Sequence, residues 1–369
     1  MRVALVHDWF NDIGGAEKVV RGILECYPQA DVYSLIDYYD DFKRKKYLAG
    51  KKTKTSFIQK IPFSKRYYRF LFPLFPSAIE RLDLSSYDVI ISSSSSVAKG
   101  IRKKTDQLHI CYCHSPMRYA WDLKDDYLSV IKNPITRKIF EYFLNRLKKW
   151  DLLSNLRVDH FIANSKYVSD RIKNNYQREA LVIYPPVDVN SFTLTHSKQD
   201  YYFTVSRLVS YKKTENIVKA FAKFPHLKLQ VAGKGPNKNR LLKVATSNVS
   251  ILGYVSPEEL REKIRNAKAF IVNANEDFGI TVVEAQSSGT PIIAPYLGGY
   301  KETLTEKTGL FFENQTQVEI ERAIALFENK GKTFQEEDFM ESAKRFDKNR
   351  FHVEFKSYVE KKYKEFFKK

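Results

Sequence analysis

Two glutamates stand eight positions apart, Glu276 and Glu284, in the segment NEDFGITVVEAQSSGTP at residues 275–291. The apolar run before them, residues 269–274, predicts a buried strand, and the residues after it predict a short helix that ends at Gly289. Glu276 is therefore expected in the strand-to-helix loop and Glu284 inside the helix. Between them, the N–H groups and the dipole of a helix N-terminus favour an anion. An anion with a carboxylate on each side indicates a phosphate that carries hydroxyl groups, as in a sugar nucleotide.

A glycine pair near the start of the chain forms a second candidate phosphate loop. Gly14 and Gly15 follow the apolar run at 2–7, which predicts the first strand, and they lead into GAEKVVRGILECY, which predicts a helix. Backbone without side chains can approach a phosphate closely at such a turn. The same pair is equally typical of a plain tight turn, so both interpretations are kept.

Two histidines and two cysteines occur within six residues of the segment HICYCHSP at 109–116. Such a cluster suggests a metal site, but strand alternation directs His109, Cys111 and Cys113 to one face. His114 leaves by the other face. Zinc sites draw their ligands from two separated segments, and the sequence offers no second set. We therefore predict no metal, and His114 is either a functional residue at a strand end or a hydrogen-bonded core histidine.

Strands and helices alternate along the chain. The short runs DVIISSS, LHICYCH and HFIANS predict further strands that lead into loops, and the serines at 92–96 are expected in one such loop. The alternation predicts parallel sheets covered by helices. Paired prolines and a polar stretch at 184–200 break the pattern, which then restarts.

The predicted fold class is therefore α/β, with two doubly wound, Rossmann-like domains that face a cleft. We place an N-terminal domain at 1–188 and a C-terminal domain at 189–350. A basic and aromatic C-terminal helix at 351–369 is expected to pack back on the N-terminal domain.

The composition is that of a globular protein. The 369 residues suffice for two domains, and 43% of them are hydrophobic. Three cysteines form no disulfide framework, which favours a reducing compartment. The N-terminal segment MRVALVHDW lacks the features of a signal peptide, and no run reaches the ~20 apolar residues of a transmembrane helix. We therefore expect a cytoplasmic protein.

The net charge of +19 is concentrated in one segment. Lys43–Arg69 contains 11 lysines and arginines and no acidic residue, with aromatic residues among them. Such a segment is typical of proteins that meet nucleic acid or an anionic membrane, although a solvated surface loop can have the same composition. Further along, four apolar residues at helical spacing favour packing against the core over contact with a membrane. They are Ile135, Ile139, Phe143 and Leu147.

Several motifs together resemble one family. The glutamate pair, VSRLVSYK at 205–212, LGYVSPEEL at 252–260, IANS and YPPVD resemble the retaining GT-B glycosyltransferases of family 4. HDWFNDIGGAEKV and HSPMRYAWD resemble the members that include bacterial O-antigen and exopolysaccharide mannosyltransferases. The resemblance runs from the N-terminus to the last helix, with the motifs in the family's order, and it is stronger in the second half.

The resemblance implies a role for each carboxylate. In the family, the glutamate at the position of Glu284 holds the ribose of the donor, and an ionised carboxylate can accept two O–H groups at once. The glutamate at the position of Glu276 faces the transferred sugar. The backbone of Phe278, Gly279 and Ile280 lies beside it.

The resemblance also implies roles for five other residues. Arg207 and Lys212 correspond to the diphosphate-binding pair, and fixed cations stabilise the charge that grows on a leaving diphosphate. Tyr254 and Val255 correspond to the segment whose backbone contacts the nucleobase, although by themselves they are typical of core residues. His114 corresponds to a histidine that reaches the donor sugar.

By this resemblance we expect a retaining transfer of a hexose, from GDP-mannose, to a lipid-linked saccharide in bacterial surface polysaccharide synthesis. No cofactor other than the donor is expected. The D-x-D pair of metal-dependent glycosyltransferases is absent from the sequence, so Arg207 and Lys212 are expected to replace the metal. A lipid-linked acceptor would hold the protein on the inner face of the cell membrane, through Lys43–Arg69.

Two other functions fit part of the sequence. A sugar-nucleotide 2-epimerase has the same two-domain architecture, and it would release an altered sugar nucleotide without any acceptor. A nucleic-acid-binding protein would use Lys43–Arg69 with a steeply salt-dependent affinity, but it leaves the motifs of the second half unexplained. The base of the donor, the acceptor and the linkage stay open at this point.

Overall fold

The computed structural model describes residues 1–129, 131–195, 197–329 and 334–368. The chain forms two compact units. The first comprises Met1–Pro186 and Lys348–Lys369, and the second comprises Val187–Asp347. From the sequence we expect domain boundaries after residues 188 and 350. The boundaries in the structure follow residues 186 and 347, two and three residues earlier.

The first unit is built on a sheet of seven parallel strands in the order β3-β2-β1-β4-β5-β6-β7. The strands are β1 (Val3–His7), β2 (Asp31–Ser34), β3 (Thr53–Thr55), β4 (Val89–Ser94), β5 (Leu108–Cys113), β6 (His160–Ala163) and β7 (Ala180–Val182). The chain runs outward from β1 through β2 to β3 and then crosses to β4 on the other side of β1. The carboxyl ends of β1 and β4 therefore flank the switch point of a doubly wound sheet, where such folds bind ligands.

Helices pack against this sheet from both sides. They are α1 (Gly15–Cys26), α2 (Asp41–Leu48), α3 (Ser64–Tyr67), α4 (Phe75–Glu80), α5 (Lys124–Ser129), α6 (Pro134–Ser154) and α7 (Lys166–Tyr176). Successive residues of β1 alternate between two cores, because Leu5 packs with Val20 of α1, whereas Val6 packs with Ala78 of α4. Burial on both faces explains why these strands are continuous apolar runs.

The end of β4 differs from the expectation that its serines form a loop. Ser92, Ser93 and Ser94 are fully buried residues of the strand. The register pairs Ser93 with His7 of β1 and Ser94 with Cys113 of β5. Three short hydroxyl side chains thus lie inside the sheet, next to the histidine that ends β1.

Helix α6 also departs in part from the sequence interpretation. Leu147 is buried in the core as predicted. Ile135 and Ile139 are exposed, at 70% and 51% of their surface, so the prediction that they pack against the core is wrong. The first half of α6 therefore presents apolar side chains to solvent.

The second unit is built on six parallel strands in the order β10-β9-β8-β11-β12-β13. The strands are β8 (Gln199–Val205), β9 (Leu229–Ala232), β10 (Val249–Gly253), β11 (Ala267–Ile271), β12 (Ile292–Pro295) and β13 (Gly309–Phe312). β11 begins and ends a few residues earlier than the run 269–274 predicted. The switch point of this sheet lies between β8 and β11.

The helices of the second unit alternate with its strands. They are α8 (Thr214–Ala220), α9 (Lys238–Val244), α10 (Pro257–Asn266), α11 (Ile280–Ser287), α12 (Tyr300–Thr303), α13 (Gln317–Asn329) and α14 (Glu336–Lys344). The last helix, α15 (Lys348–Phe367), belongs to the first unit and packs on α1 through Phe351, Phe355 and Val359. Across the described ranges, no helix is long and apolar enough to cross a membrane.

Candidate active site

Glu276 and Glu284 occupy the elements that the sequence predicted for them. Glu276 lies in the loop between β11 and α11, and Glu284 is a buried residue of α11. Gly279 precedes the first turn of α11 with a φ of +90°, in the left-handed region. A Cβ atom there would lie 2.7 Å from Cε1 of Tyr300, so both the backbone and this contact require glycine. The first turn of α11 leaves N–H groups without a helical partner beside the Glu276 loop.

The loop between β12 and α12 packs against the loop that contains Glu276. The sequence analysis did not single out this second loop. The N–H of Gly299 donates a hydrogen bond of 2.8 Å to the carbonyl oxygen of Glu276. A Cβ on Gly298 would lie 2.4 Å from the same oxygen, and one on Gly299 would lie 2.5 Å from Cα of Phe278. The two loops are therefore packed backbone against backbone. The glycine pair that follows the apolar run at 291–295 after two residues was the available signal in the sequence.

Two candidate residues of the second unit meet directly. Nζ of Lys212 forms an ion pair with Oε1 of Glu276, and the two side chains are only 14% and 28% exposed. Arg207 donates a hydrogen bond of 2.6 Å from Nη2 to the hydroxyl of Tyr211, a residue that the sequence analysis did not consider. Partial burial makes the Lys212–Glu276 attraction stronger than that of an exposed pair.

The topology explains why residues so far apart in sequence meet. Arg207 and Lys212 follow β8, Glu276 follows β11, and these strands are neighbours in the sheet. Parallel neighbours end at the same edge, so their loops emerge side by side. The cations and the carboxylate therefore share the switch point.

The residues predicted to contact the nucleobase follow β10. Tyr254 is 64% exposed, and Nζ of Lys234 lies 4.3 Å from the centre of its ring. The alternative that Tyr254 is a core residue is therefore wrong. Val255 is half-buried and packs against the core cluster that contains Phe203.

In the first unit, polar side chains gather at the carboxyl ends of β1, β4 and β5. His114 follows β5, and its Nε2 lies 2.8 Å from Oγ of Ser93. Its backbone is held at both ends, because its N–H donates to Ser94 and its carbonyl accepts from Asn164. Burial, followed by the charge of His7, lowers the pKa of His114 to about 3. At neutral pH His114 is therefore an uncharged hydrogen-bonding group.

Gly14 is already engaged in a hydrogen bond. Its N–H donates to Oε2 of Glu17 at 2.7 Å, and a Cβ atom on Gly14 would lie 3.3 Å from that oxygen. Gly15 is the first residue of α1. A phosphate at this turn would thus compete with Glu17 for the N–H of Gly14.

Asp8 is a further buried residue that the sequence analysis missed. Its carboxylate accepts hydrogen bonds from the N–H groups of Ser95, Val97 and Ala98 at 2.7–2.8 Å. Three donors on one carboxylate fix the turn that follows β4, next to His7. The available signal was the charged residue directly after the first strand.

The cluster at 109–114 is divided as strand alternation predicted. Cys111 and Cys113 belong to a small apolar core, and His109 hydrogen-bonds Oγ of Ser92 at 2.8 Å. Burial lowers the pKa of His109 to about 4, so it is a neutral core histidine. Within the part of the chain that the structure describes, no group of three or more His, Cys, Asp and Glu side chains is placed to hold a metal ion.

Two sequence models of known families match the chain. Residues 13–191 match the one described as Glycosyltransferase Family 4, and residues 188–351 match the one described as Glycosyl transferases group 1. Together they cover both units.

Curated proteins match over shorter segments. The chain is 33% identical over 123 residues to the GDP-mannose-dependent monoacylated alpha-(1-6)-phosphatidylinositol monomannoside mannosyltransferase of Corynebacterium glutamicum, covering 29% of this chain and 32% of that protein. It is 30% identical over 114 residues to the sulfoquinovosyl transferase SQD2 of Arabidopsis thaliana, covering 29% and 22%. The matched segments thus span about a third or less of these relatives' own length.

Among solved structures, the crystal structure of Anabaena Alr3699/HepE in complex with UDP matches with a TM-score of 0.71 at 16% identity. The match covers 98% of this chain and 100% of that chain. At this identity the likeness shows the fold, which is that of the GT-B glycosyltransferases. The two family matches run together from residue 13 to residue 351, and the chain belongs to family 4 of the glycosyltransferases.

Proposed function

We propose that the chain is a retaining glycosyltransferase that moves a hexose from a nucleoside diphosphate sugar to a lipid-linked saccharide in bacterial surface polysaccharide synthesis. The observation that supports it best is the arrangement around α11. A cation, Lys212, contacts the loop before this helix, and one carboxylate lies in that loop while a second lies inside the helix. This set matches the chemistry of a sugar nucleotide, which carries an anionic centre between two groups of hydroxyls.

The proposed roles follow from this arrangement. Glu284 accepts the ribose hydroxyls and Glu276 accepts hydroxyls of the hexose, while Arg207 and Lys212 hold the diphosphate. Backbone N–H groups of the segment 278–280 add donors for the same anion. Tyr254 and Val255 contact the base. In the first unit, Gly14, Gly15 and His114 are the proposed substrate contacts. Retention comes with the family, and no side chain is assigned as a nucleophile.

The Lys212–Glu276 ion pair gives this site a specific energetic feature. A diphosphate that binds Lys212 must compete with Glu276 for the ammonium group. Glu276 then gives up this ion pair, and its carboxylate is proposed to accept sugar hydroxyls. Binding of the phosphate and binding of the sugar are therefore coupled through one lysine.

GDP-mannose is the proposed donor. The Corynebacterium glutamicum relative is a GDP-mannose-dependent mannosyltransferase, which supports guanine and mannose. The Anabaena structure is a complex with UDP, which makes uridine the alternative. Calorimetric binding of GDP-mannose, UDP-glucose and their free nucleotides distinguishes the two, and analysis of the products distinguishes transfer from epimerisation.

The proposed acceptor lies in a membrane, so the protein must dock on the inner face of the cell membrane. The basic segment Lys43–Arg69 is the proposed electrostatic contact with anionic lipid. One of its cations is structural, because Arg44 donates to a carboxylate oxygen of Asp37 at 2.5 Å and to the carbonyl of Tyr39. Lys45, Lys52 and Lys60 are exposed.

Apolar side chains extend this basic surface. Phe63, at the start of α3, is 79% exposed and adopts a left-handed φ of 59°, which is unusual for a phenylalanine. Phe70 is also exposed, and its ring lies 6.3 Å from that of Phe140 on α6, the helix that exposes Ile135. The two segments form one apolar surface bordered by cations, which fits the headgroup region of an anionic bilayer.

The first prediction concerns Glu284. Replacing it by glutamine should weaken donor binding by roughly 1–3 kcal/mol, because charge-assisted hydrogen bonds to the ribose are lost. Isothermal titration calorimetry with GDP-mannose measures the change. Glu262→Gln, at an exposed position of α10 in the same unit, is the matched control and should bind the donor like wild type. Equal affinities for wild type and Glu284→Gln would remove Glu284 from the site.

The second prediction concerns metal ions. If Arg207, Lys212 and helix N–H groups stabilise the leaving diphosphate, transfer should continue at an unchanged rate in excess EDTA. The lack of a D-x-D pair motivates this test. Activity that disappears on chelation and returns with Mg²⁺ or Mn²⁺ would contradict the proposed role of the cations.

The third prediction concerns membrane docking. Each lysine near an anionic leaflet contributes about 1 kcal/mol, so reversing Lys45, Lys52 and Lys60 to glutamate should weaken vesicle binding by at least ~3 kcal/mol, on the order of 100-fold. Sedimentation with vesicles that contain phosphatidylserine measures it. Transfer to a membrane-embedded acceptor should fall, whereas donor affinity and transfer to a short soluble acceptor should not change.

The control for this experiment carries the same net charge. Lys228, Lys243 and Lys344 are exposed lysines of the second unit, and reversing these three to glutamate changes the net charge equally. This variant should sediment like wild type. Equal loss of sedimentation in both triple variants would attribute binding to net charge and reject Lys43–Arg69 as the docking surface.

A further inference from the structure

A buried chain of hydrogen bonds connects four polar residues of the first unit. Oε1 of Glu17 lies 3.4 Å from Nε2 of His7, and Nδ1 of His7 lies 2.9 Å from the carbonyl oxygen of Ser93. Oγ of Ser93 lies 3.1 Å from the same Nδ1 and 2.8 Å from Nε2 of His114. All four side chains are buried, so each polar atom depends on its protein partners.

The hydrogen positions follow from the chemistry of the partners. A carbonyl oxygen only accepts, so Nδ1 of His7 must carry a hydrogen. Nε2 of His7 faces a carboxylate oxygen of Glu17, which also accepts when it is ionised. When the Glu17 carboxylate accepts from this nitrogen, both ring nitrogens of His7 are donors, and this arrangement favours an imidazolium.

Electrostatics of the site agree with this assignment. Burial alone would lower the pKa of His7, but the hydrogen bond to Glu17 and the charges of Glu17 and Asp8 outweigh it, and the pKa of His7 is raised. Glu17 on α1, Asp8 beside it in the chain and His114 after β5 are the titratable groups that face this ring.

The same reasoning assigns the tautomer of His114. Oγ of Ser93 can accept from Nδ1–H of His7, and the buried hydroxyl hydrogen is satisfied when it is donated to Nε2 of His114. His114 is then neutral, with its own hydrogen on Nδ1. Among the described residues, no hydrogen-bond partner faces that nitrogen.

We propose that Glu17, His7 and Ser93 are positioning residues that hold His114 in the neutral Nδ1–H tautomer, so that it donates a hydrogen bond to an oxygen atom of the transferred hexose. The role of the hexose rests on the proposed function, whereas the tautomer does not. Glu17 also accepts from the N–H of Gly14, so the same carboxylate sets the glycine turn and the histidine chain. With the hydrogens placed in this way along the four hydrogen-bonded residues, His114 donates a hydrogen bond while its ring stays uncharged.

The test is the tautomeric state of His114 in the full chain. Nitrogen-15 labelling of the seven histidines, with His114→Gln for assignment, gives ring-nitrogen shifts that separate the two neutral tautomers and the imidazolium. In wild type at neutral pH, His114 should be the Nδ1–H tautomer and His7 should be doubly protonated. A wild-type His114 that carries its hydrogen on Nε2, or that is charged, overturns the proposal.

Variants of Ser93 separate positioning from simple packing. Ser93→Ala removes the donor to Nε2, so His114 should lose its tautomeric preference and kcat should fall about tenfold, while the affinity for free GDP is unchanged. Ser93→Thr keeps the hydroxyl and should restore both the tautomer and kcat. An unchanged tautomer in Ser93→Ala overturns the proposal, and so does a Thr variant that keeps its hydroxyl but behaves like Ala.

Glu17→Gln is a further test variant. It changes a residue of α1 and leaves β4, which contains Ser93, unaltered. Gln removes the charge, so His7 should be neutral at neutral pH. A neutral ring is a weaker donor to Ser93 than an imidazolium, so the preference of His114 should weaken. Failure of wild type to bind any nucleotide sugar would reject the proposed function, yet it would leave the tautomer measurement intact. Retention of a doubly protonated His7 in Glu17→Gln would show that Glu17 does not position it.

Discussion

The ion pair between Lys212 and Glu276 is the interaction on which the proposed donor site depends. It joins the loop after β8 to the loop after β11 at the switch point of the second sheet. Gly298 and Gly299 support the Glu276 loop through backbone contacts that leave no room for a side chain.

Lys212 can pair either with Glu276 or with the proposed diphosphate. A lysine that is partly withdrawn from water needs an anion, and Glu276 supplies one when no phosphate is bound. In the proposed function a diphosphate replaces the carboxylate at little net cost, because one charged contact is exchanged for another. The Glu276 carboxylate, which would give up this ion pair, lies in the loop before the N-terminus of α11, where the hexose is proposed to bind.

Sequence reasoning could locate the parts that are local. The spacing of Glu276 and Glu284, with a strand before and a glycine after, identifies a strand-loop-helix unit without any knowledge of the rest of the fold. Lys212 and Glu276 meet because β8 and β11 are neighbours in the sheet, and strand order is a property of the whole domain. Motif order along the chain allowed a family resemblance, but not this contact.

The sequence predictions that were wrong also concern properties that depend on the whole fold. Consecutive serines have little preference for a strand, yet Ser92 and Ser93 are buried in β4 because neighbouring histidines satisfy their hydroxyls. An amphipathic stripe on α6 looks the same in sequence whether another helix or a membrane covers it. Only the fold separates the exposed Ile135 from the buried Leu147.

The most direct test of the account is calorimetric binding of GDP and of GDP-mannose to wild type, Lys212→Ala and Glu276→Gln. Lys212→Ala should weaken both ligands about tenfold or more, because a charge-assisted contact with the diphosphate is lost. Glu276→Gln should weaken GDP-mannose, but it should bind GDP at least as tightly as wild type, because Lys212 no longer has a competing anion. Equal weakening of GDP and GDP-mannose in Glu276→Gln, or unchanged affinities in Lys212→Ala, would contradict the account.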